Sequence, residues 1–405
     1  MVTWHAWSPC IFTQISTVGC VPNLLTGDLY VYYTVRLSKL NKKILTMTEF
    51  VKCWAAFSKD QPLGPHEILR RAVGPNDVKM LVKFAGICHS DIHQARNEWG
   101  GAIFPMVPGH ENVGLVTEVG SNVTAFKIGD VAGVGCMVDS CRTCSNCSVG
   151  EEQYCSPSGP IFTYNSTSKY AHCIEYNAEG GAPTYGGYSQ SMVVDSKYVL
   201  RVPENLDMAG AAPLLCAGIT TYSPFKSYGL KPHMKLGVIG LGGLGHMGVK
   251  FGKAWGCNTT VISRGTSKMK DALEHLGADA FLDATDEGAM KLQHGTFDFL
   301  YCTISGQFNI TTYLNLLALD GTIVLVGAPP ENLSFSAFSV IGGRKRIVGS
   351  LIGGIAQTQE MLDFCGQHNI VSDVEVIPAD KINEAYDRTV KSDVKYRFCI
   401  DCSTF

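Results

Sequence analysis

Leu236-Gly237-Val238-Ile239-Gly240-Leu241-Gly242-Gly243-Leu244-Gly245 is a short apolar run that passes directly into a GxGxxG string, and residues 247–255 follow with apolar side chains at helical spacing. The string alone is a weak signal. Placed between a strand and a helix, it permits a tight turn, the close approach of a pyrophosphate and helix–sheet packing, with the helix N-terminus facing the anion. A glycine-rich turn without a ligand is the plainer alternative, and that context disfavours it. Downstream, strand-like runs at 259–263, 297–302 and 322–326 alternate with helix-like stretches at 268–276 and 310–319. Such alternation predicts an α/β fold with a parallel, doubly wound sheet.

Upstream the periodicity is different. Short β-type runs at 78–85, 114–119, 131–135 and 190–194 are broken by Gly and Pro, which predicts an antiparallel, barrel-like domain whose loops carry chemistry. One loop reads Cys88-His89-Ser90-Asp91-Ile92-His93, a second Gly109-His110-Glu111, and a third, far down the chain, Leu215-Cys216-Ala217-Gly218. Cys, His and Cys with an acid beside the His form the donor set of a catalytic zinc, which keeps one position open for a substrate oxygen. Taken singly, Cys88 and Cys216 would be buried apolar thiols, His93 a surface imidazole and Glu111 a solvated charge. Cys141-x2-Cys144-x2-Cys147-x7-Cys155 is a different pattern: four thiolates close together make a closed tetrahedral site that staples a loop. Two zinc ions per chain are expected.

The 405 residues exceed the size at which single cores stop growing, about 250–300 residues, so two domains are expected. A 45% hydrophobic, 17% charged composition is that of a globular enzyme, and a net charge of −3 offers no footprint for nucleic acid or an anionic membrane. No apolar run reaches the roughly 18 residues of a membrane span. With 16 cysteines that include a metal-type cluster, the chain points to a reducing compartment, the cytoplasm. Residues 1–46, with Tyr30, Tyr32 and Tyr33 close together, lack the form of a signal peptide and read as an unstructured or mis-annotated extension, Met47 being an alternative start. The expected division is 1–46, a zinc-binding domain over 47–206, a dinucleotide-binding domain over 207–355, and a return to the zinc-binding domain over 356–405.

The nicotinamide type is read at the end of the second strand of the doubly wound sheet. An Asp or Glu there would bind a free ribose 2′-hydroxyl. The chain has Ser263-Arg264-Gly265-Thr266-Ser267-Lys268 instead. Arg264 can grip a 2′-phosphate bidentately, and Ser263 and Lys268 add a hydroxyl and a second cation, so NADP(H) is expected over NAD(H). Solvated charges at a helix start are the alternative.

The motifs GICHSDIHQARNEWG, PMVPGHENVG, the four-cysteine cluster, PTYGGYSQ, APLLCAGITTYSP, GLGGLGHMGVK and IGGRKRIVGSLIGG together resemble the zinc-containing medium-chain alcohol dehydrogenases, in their cinnamyl alcohol dehydrogenase-like branch. The resemblance covers residues 47–401 and implies a GroES-like β-barrel catalytic domain beside a Rossmann domain, in a homodimer using NADP(H). It implies Cys88, His110 and Cys216 as catalytic zinc ligands with Glu111 as a fourth or exchangeable one, and Cys141, Cys144, Cys147 and Cys155 as structural ligands. Ser90 and His93 match the proton relay and His89 a residue near the cofactor pyrophosphate. Thr220, Thr303, Gly327, Ser350, Leu351 and Ile352 match cofactor contacts, and Trp99 a wall of the substrate mouth. Three departures stand out: Arg264 where Ser or Thr is common, Cys302 in place of an Asp, and an insertion over 168–177.

The expected reaction interconverts an alcohol and an aldehyde: a zinc-held oxygen loses its proton readily, Ser90 and His93 lead that proton out, and the hydride passes to the nicotinamide. A cinnamyl-type, broad aromatic or aliphatic primary alcohol is the expected substrate. An aliphatic, terpenoid or sugar-alcohol dehydrogenase on the same scaffold is an alternative, because pocket differences of one methylene are worth only ~1–3 kcal/mol. A zinc-ribbon interaction protein without catalysis is an alternative of another class.

Overall fold

The computed structural model describes residues 49–167, 170 and 183–405. The chain divides into two units, Met1–Thr46 and Met47–Phe405, and the described residues all belong to the second. The expected extension lies outside the described residues, as does the expected insertion apart from Tyr170.

β1 (Glu49–Ala55) and β2 (Gly64–Arg70) form an antiparallel ribbon. β3 (Asp77–Ile87) is the spine of a larger, mainly antiparallel sheet. Along one side it pairs with β4 (Asn112–Val119), which passes the ladder to β5 (Val131–Val134). A small ribbon of β6 (Met137–Asp139) and β7 (Ile161–Phe162) precedes β8 (Ser191–Asp195), which pairs with the first half of β3, while β9 (Leu200–Arg201) extends β5. Alternate residues of β3 such as Val78, Met80 and Val82 are buried, the period of a strand with one face on a core. Between β3 and β4 lies α1 (His89–Ala95), and α2 (Ser145–Ser148) sits inside the four-cysteine segment.

After α3 (Met208–Ala211) and α4 (Ala217–Ser227) the second sheet begins. Its strands are β10 (Lys235–Ile239), β11 (Asn258–Ser263), β12 (Ala280–Asp283), β13 (Phe297–Cys302), β14 (Leu317–Leu325) and β15 (Arg346–Gly349). All pairs are parallel, in the order β12-β11-β10-β13-β14-β15. Helices cover both faces, so strand residues such as Val238, Leu300 and Tyr301 are buried whichever way they point, which is why these strands read as unbroken apolar runs. α5 (Gly243–Ala254) is the crossover from β10 to β11. The order reverses between β10 and β13, and a doubly wound sheet binds its ligand beyond the strand ends at that point. Register places Leu282, Ile262, Ile239, Cys302, Leu325 and Gly349 in one row across the sheet, so the loops that follow them open along one edge.

Two elements differ from expectation. The helix expected over 310–319 stops at Leu314 as α7 (Ile310–Leu314), and β14 starts at Leu317; α6 (Glu287–Leu292) precedes them. The run Leu316-Leu317-Ala318-Leu319 is apolar throughout and only four residues long, so its periodicity could not separate a strand from a helix. The stretch expected as a helix over 268–276 closes in a π turn, Asp271–His275.

α8 (Phe338–Ile341), α9 (Ile355–His368), β16 (Val374–Pro378), α10 (Ile382–Val390) and β17 (Arg397–Asp401) complete the chain. β17 runs antiparallel to the last residues of β3, with Phe398 opposite Ile87, so the chain ends beside the Cys88 loop. Among the described residues no helix is long and apolar enough to cross a membrane.

Candidate active site and metal centres

Cys88 leaves β3 and occupies the N-cap of α1; its backbone N–H donates to Asp91 Oδ2 at 3.0 Å. His110 and Glu111 precede β4, and the β3–β4 ladder, held by the Gly86 N–H to Glu111 O bond of 2.8 Å, brings them beside Cys88. Cys216 arrives from the other end of the chain on the N-cap of α4. That helix is fully buried from Ala217 to Phe225, and the Phe225 ring lies edge-on to Trp255, Phe299 and Tyr301 at centroid distances of 6.2, 5.7 and 5.2 Å. Aromatic burial of this kind, worth several kcal/mol per ring, fixes the position from which Cys216 projects.

One donor atom from each of Cys88, His110, Glu111 and Cys216 lies within 4.8 Å of all the others, and the four side chains are buried. The two sulfurs stand 4.0 Å apart. Asp91, wholly buried, braces the cluster: Oδ1 accepts from the Gly109 N–H at 3.1 Å and lies 3.0 Å from His110 Nδ1. Nε2 is then the nitrogen left for a metal. Burial pulls the His110 imidazole down, but Asp91 and the Cys136 and Cys88 sulfurs outweigh it and hold the ring well above the ordinary histidine range. Cys88 ionises far more readily than an ordinary thiol, first because the Cys216 thiol donates to it and then because Arg397 and His110 face it.

Glu111 is the least satisfied member. Neither carboxylate oxygen has a hydrogen-bond partner, and burial pushes its pKa up to about 8 against the pull of Arg397, whose Nη2 is 3.2 Å from Oε1. Two thiols, an imidazole and an orphaned carboxylate, converging and dry, fit zinc in a site with an exchangeable position. The sulfurs of Cys141, Cys144, Cys147 and Cys155 likewise lie within 4.8 Å of one another. Four sulfurs with no other ligand type fit a closed zinc site.

The Gly240–Gly245 loop bridges β10 and α5. Gly240 has φ 89°, and a Cβ there would stand 2.6 Å from Thr303 Oγ1, so no other residue fits. No side chain caps the N-terminus of α5, which leaves its first N–H groups open to an anion. Leu241, Gly242, Gly243, Leu244 and Gly245 all belong to this loop or first turn, and Thr303, Gly327 and Ser350 follow the adjacent strands on the same edge. Arg397 joins the two regions: the guanidinium that faces Glu111 has its Nε 2.9 Å from where a Cβ on Gly243 would lie.

The alcohol dehydrogenase GroES-like domain model matches residues 74–204, and the zinc-binding dehydrogenase model matches residues 243–367. NADP-dependent alcohol dehydrogenase C 1 of Mycolicibacterium smegmatis is 49% identical over 354 residues, 87% of this chain and 98% of that protein. This chain belongs to the zinc-binding alcohol dehydrogenase family. A probable mannitol dehydrogenase of Fragaria ananassa is 51% identical to this dehydrogenase, across 86% of the chain and 94% of the relative. The structure of a cinnamyl alcohol dehydrogenase from Sorghum bicolor superposes with TM-score 0.82 at 47% identity, covering 88% and 98% of the two chains. That of a Helicobacter pylori cinnamyl alcohol dehydrogenase complexed with NADP(H) gives 0.80 at 43% identity, covering 88% and 99%. A non-catalytic zinc-ribbon protein is set aside by this membership.

The remaining expected site residues of the dehydrogenase are placed as follows. Ser90 Oγ lies 3.6 Å from Cys88 Sγ, within reach of a sulfur hydrogen bond. His93 Nδ1 pairs with the Glu98 carboxylate, and its ring stacks on Trp99 at 4.9 Å. His89 lies 6.0 Å from His93, ring to ring, and burial lowers its pKa. Trp99 is 56% exposed. Thr220 is buried in α4. Arg264 is exposed beyond β11, whereas Lys268 is turned onto the glycine loop, donating to Leu241 O at 2.6 Å. Asp283, one strand over, accepts from the Gly265 N–H at 2.8 Å, so a carboxylate does stand beside this loop although none follows β11 directly.

Asp91, Glu98, Asp283 and Arg397 were not among the expected site residues. Asp91 had a local signal, an acid at the N3 position of the helix that Cys88 caps. Asp283 and Arg397 had none, since pairing between strands distant in sequence brings them in.

Proposed function

We propose that this dehydrogenase interconverts primary alcohols and aldehydes with NADP(H), on a catalytic zinc held by Cys88, His110 and Cys216 with Glu111 as the exchangeable fourth donor. The one observation that carries this is Arg397, a single side chain reaching from Glu111 to the glycine loop at Gly243. It puts a metal-type donor set and a pyrophosphate-type cradle within one residue's length of each other. We assign the structural zinc to Cys141, Cys144, Cys147 and Cys155.

When bound, zinc would supply Lewis acidity at the carbinol oxygen and NADP(H) the hydride acceptor or donor. The chain's own groups do the rest. Asp91 orients His110, and Arg397 offsets the buried charge of Glu111. Ser90, on the first turn of α1, accepts the proton of the substrate hydroxyl as it hands its own proton on toward His93 at the other end of the helix, which releases a proton to solvent, its imidazole steadied by Glu98 and Trp99. The bare N-terminus of α5 binds pyrophosphate, and Arg264 grips the ribose 2′-phosphate. The relative named NADP-dependent, together with the exposed cation after β11, supports the choice of cofactor.

The Trp99–His93 stack, half open to solvent, offers a flat wall that suits aromatic or allylic alcohols, as does the likeness to the two cinnamyl alcohol dehydrogenases. Relatives named as mannitol dehydrogenases favour sugar alcohols as the second choice. A panel of cinnamyl, benzyl, aliphatic and sugar alcohols with their aldehydes, assayed with both nicotinamides, separates these. Highest kcat/KM for cinnamyl-type substrates with NADP(H) is the expected result; turnover that persists in Cys216→Ser material holding one zinc per chain would overturn the proposal.

We infer a cytoplasmic homodimer. The described cysteines are unpaired, which suits a reducing compartment. β15 is the outer strand of its sheet; Leu319 and Phe338 are largely exposed around a groove, and Ile341 of the same short helix as Phe338 is exposed as well. An apolar patch along a strand edge is the kind of surface that a second copy covers. Light scattering should give twice the 43.8 kDa of one chain.

A further inference from the structure

The turn after β15, residues 349–355, is held from outside by three hydrogen bonds. Tyr228 Oη at the end of α4 donates to Gly349 O at 2.7 Å. The Leu351 N–H donates to Tyr154 Oη at 3.1 Å, and the Ile355 N–H donates to Glu152 Oε2 at 3.1 Å. Glu152 thus does for α9 what a capping side chain would do, since its N-cap residue is Gly354 and offers none. Gly354 itself lies so close to the Gly150 carbonyl that a Cβ would come within 1.8 Å of it. Ile352, between these holds, has φ 40°, a conformation a β-branched residue adopts only where its surroundings enforce it.

Glu152 and Tyr154 share one 3₁₀ turn, Glu152–Tyr154, between Cys147 and Cys155. The turn is tied further to α2 by Asn146, whose Nδ2 donates to Tyr154 O at 2.6 Å. The clamp therefore lies in the segment between two sulfurs of the four-cysteine cluster, Cys147 and Cys155. On the other side, Gly349 stands in the row of Ile239, Cys302 and Leu325, at the edge where the glycine loop opens.

We infer that the four-cysteine lobe is a positioning element for the nicotinamide cofactor, with Glu152 and Tyr154 as the positioning residues that hold the 349–355 turn in its binding conformation. This rests on the proposed contact of Ser350, Leu351 and Ile352 with NADP(H). An unbraced turn would relax Ile352 from its left-handed backbone, and binding would then have to restore it.

Hydrogen exchange on the full-length enzyme, with and without saturating NADPH, tests both levels. In the wild type, NADPH should slow exchange over residues 350–352. The Glu152→Ala/Tyr154→Phe double variant should keep two zinc ions per chain, exchange the Leu351 and Ile355 amides faster, and raise Kd for NADPH roughly tenfold, the equivalent of two net hydrogen bonds. Glu152→Gln, which keeps an acceptor oxygen, should bind NADPH more tightly than Glu152→Ala. If NADPH leaves residues 350–352 unprotected in the wild type, the cofactor contact fails and the inference with it. If they are protected but the double variant binds NADPH as the wild type does, the contact stands and the clamp is overturned.

Discussion

Arg397 Nη2 and Glu111 Oε1 form a buried ion pair of 3.2 Å between residues 286 positions apart, at the centre of the candidate zinc site. The guanidinium comes from β17, the last strand of the chain, and also approaches Ile87 O at 3.4 Å, so the C-terminal segment completes a site begun by β3 and β4.

Arg397 is the group that pulls the Glu111 carboxyl down against burial, so removing it leaves a buried acid with no counter-charge and no hydrogen-bond partner. Arg397→Met should therefore lower stability by about 1–3 kcal/mol in urea denaturation, the cost of an unsatisfied buried polar group. Adding Glu111→Gln should recover much of that loss, because the orphaned carboxylate goes too. Equal stability of Arg397→Met and wild type would show that the pair is not formed.

Asp91 fixes three groups at once: the Cys88 and Gly109 N–H groups and His110 Nδ1. Asp91→Asn preserves shape but gives up the charged acceptor that orients the imidazole. Affinity for the catalytic zinc should fall about 10–100-fold in chelator competition, with the four-cysteine zinc retained. An unchanged competition curve would remove Asp91 from the metal's support.

Arg264 is the exposed cation after β11, while Lys268 is committed to Leu241 O. Preference for NADP(H) should therefore rest on Arg264. Arg264→Asp should reduce the NADP(H)/NAD(H) ratio of kcat/KM by about tenfold or more, the loss of a charge-assisted phosphate contact. A ratio equal to that of wild type would mean the phosphate is read elsewhere.

His246 sits fully buried in α5, with Nε2 3.0 Å from Ser372 Oγ, Nδ1 3.3 Å from Gly242 O, and its ring stacked on Tyr396 at 4.8 Å. Burial, then Lys250, with Arg397 also contributing, depress its pKa to about 3 against the opposing pull of Asp373. A depressed base binds fewer protons folded than unfolded, so its stabilising contribution is present above pH 6.5 and is lost as pH falls from there toward 3. The loss should approach about 1.4 kcal/mol per pH unit below that point. Thermal melts between pH 7 and 5 should show a shallower decline for His246→Gln than for wild type; parallel declines would exclude this histidine as the cause.

Much of the site was legible because its signals are local. The four-cysteine spacing lies within one loop, and Cys88 and His110 lie within 23 residues on loops joined by adjacent strands. The glycine string explained itself through its flanking strand and helix. Cys216 was different: without its relation to a known pattern it is one buried thiol among many. The strand starting at Leu317 was read as helix because the short apolar run 316–319 has no polar position to show its period.

From its residues alone this chain specified most of its local chemistry: most of its strands and helices, which loops carry thiols and imidazoles, and where a glycine turn opens the start of a helix. Those follow from periodicity, steric freedom at glycine and donor type, all of which act over a few residues. The tertiary structure decided the rest. It set Arg397 against Glu111, turned Lys268 onto the glycine loop and put Glu152 on the start of α9. Contacts between groups 27 to 286 positions apart depend on which strands pair and which helices pack. That choice is made by burial of the whole core and leaves no mark on the neighbouring sequence.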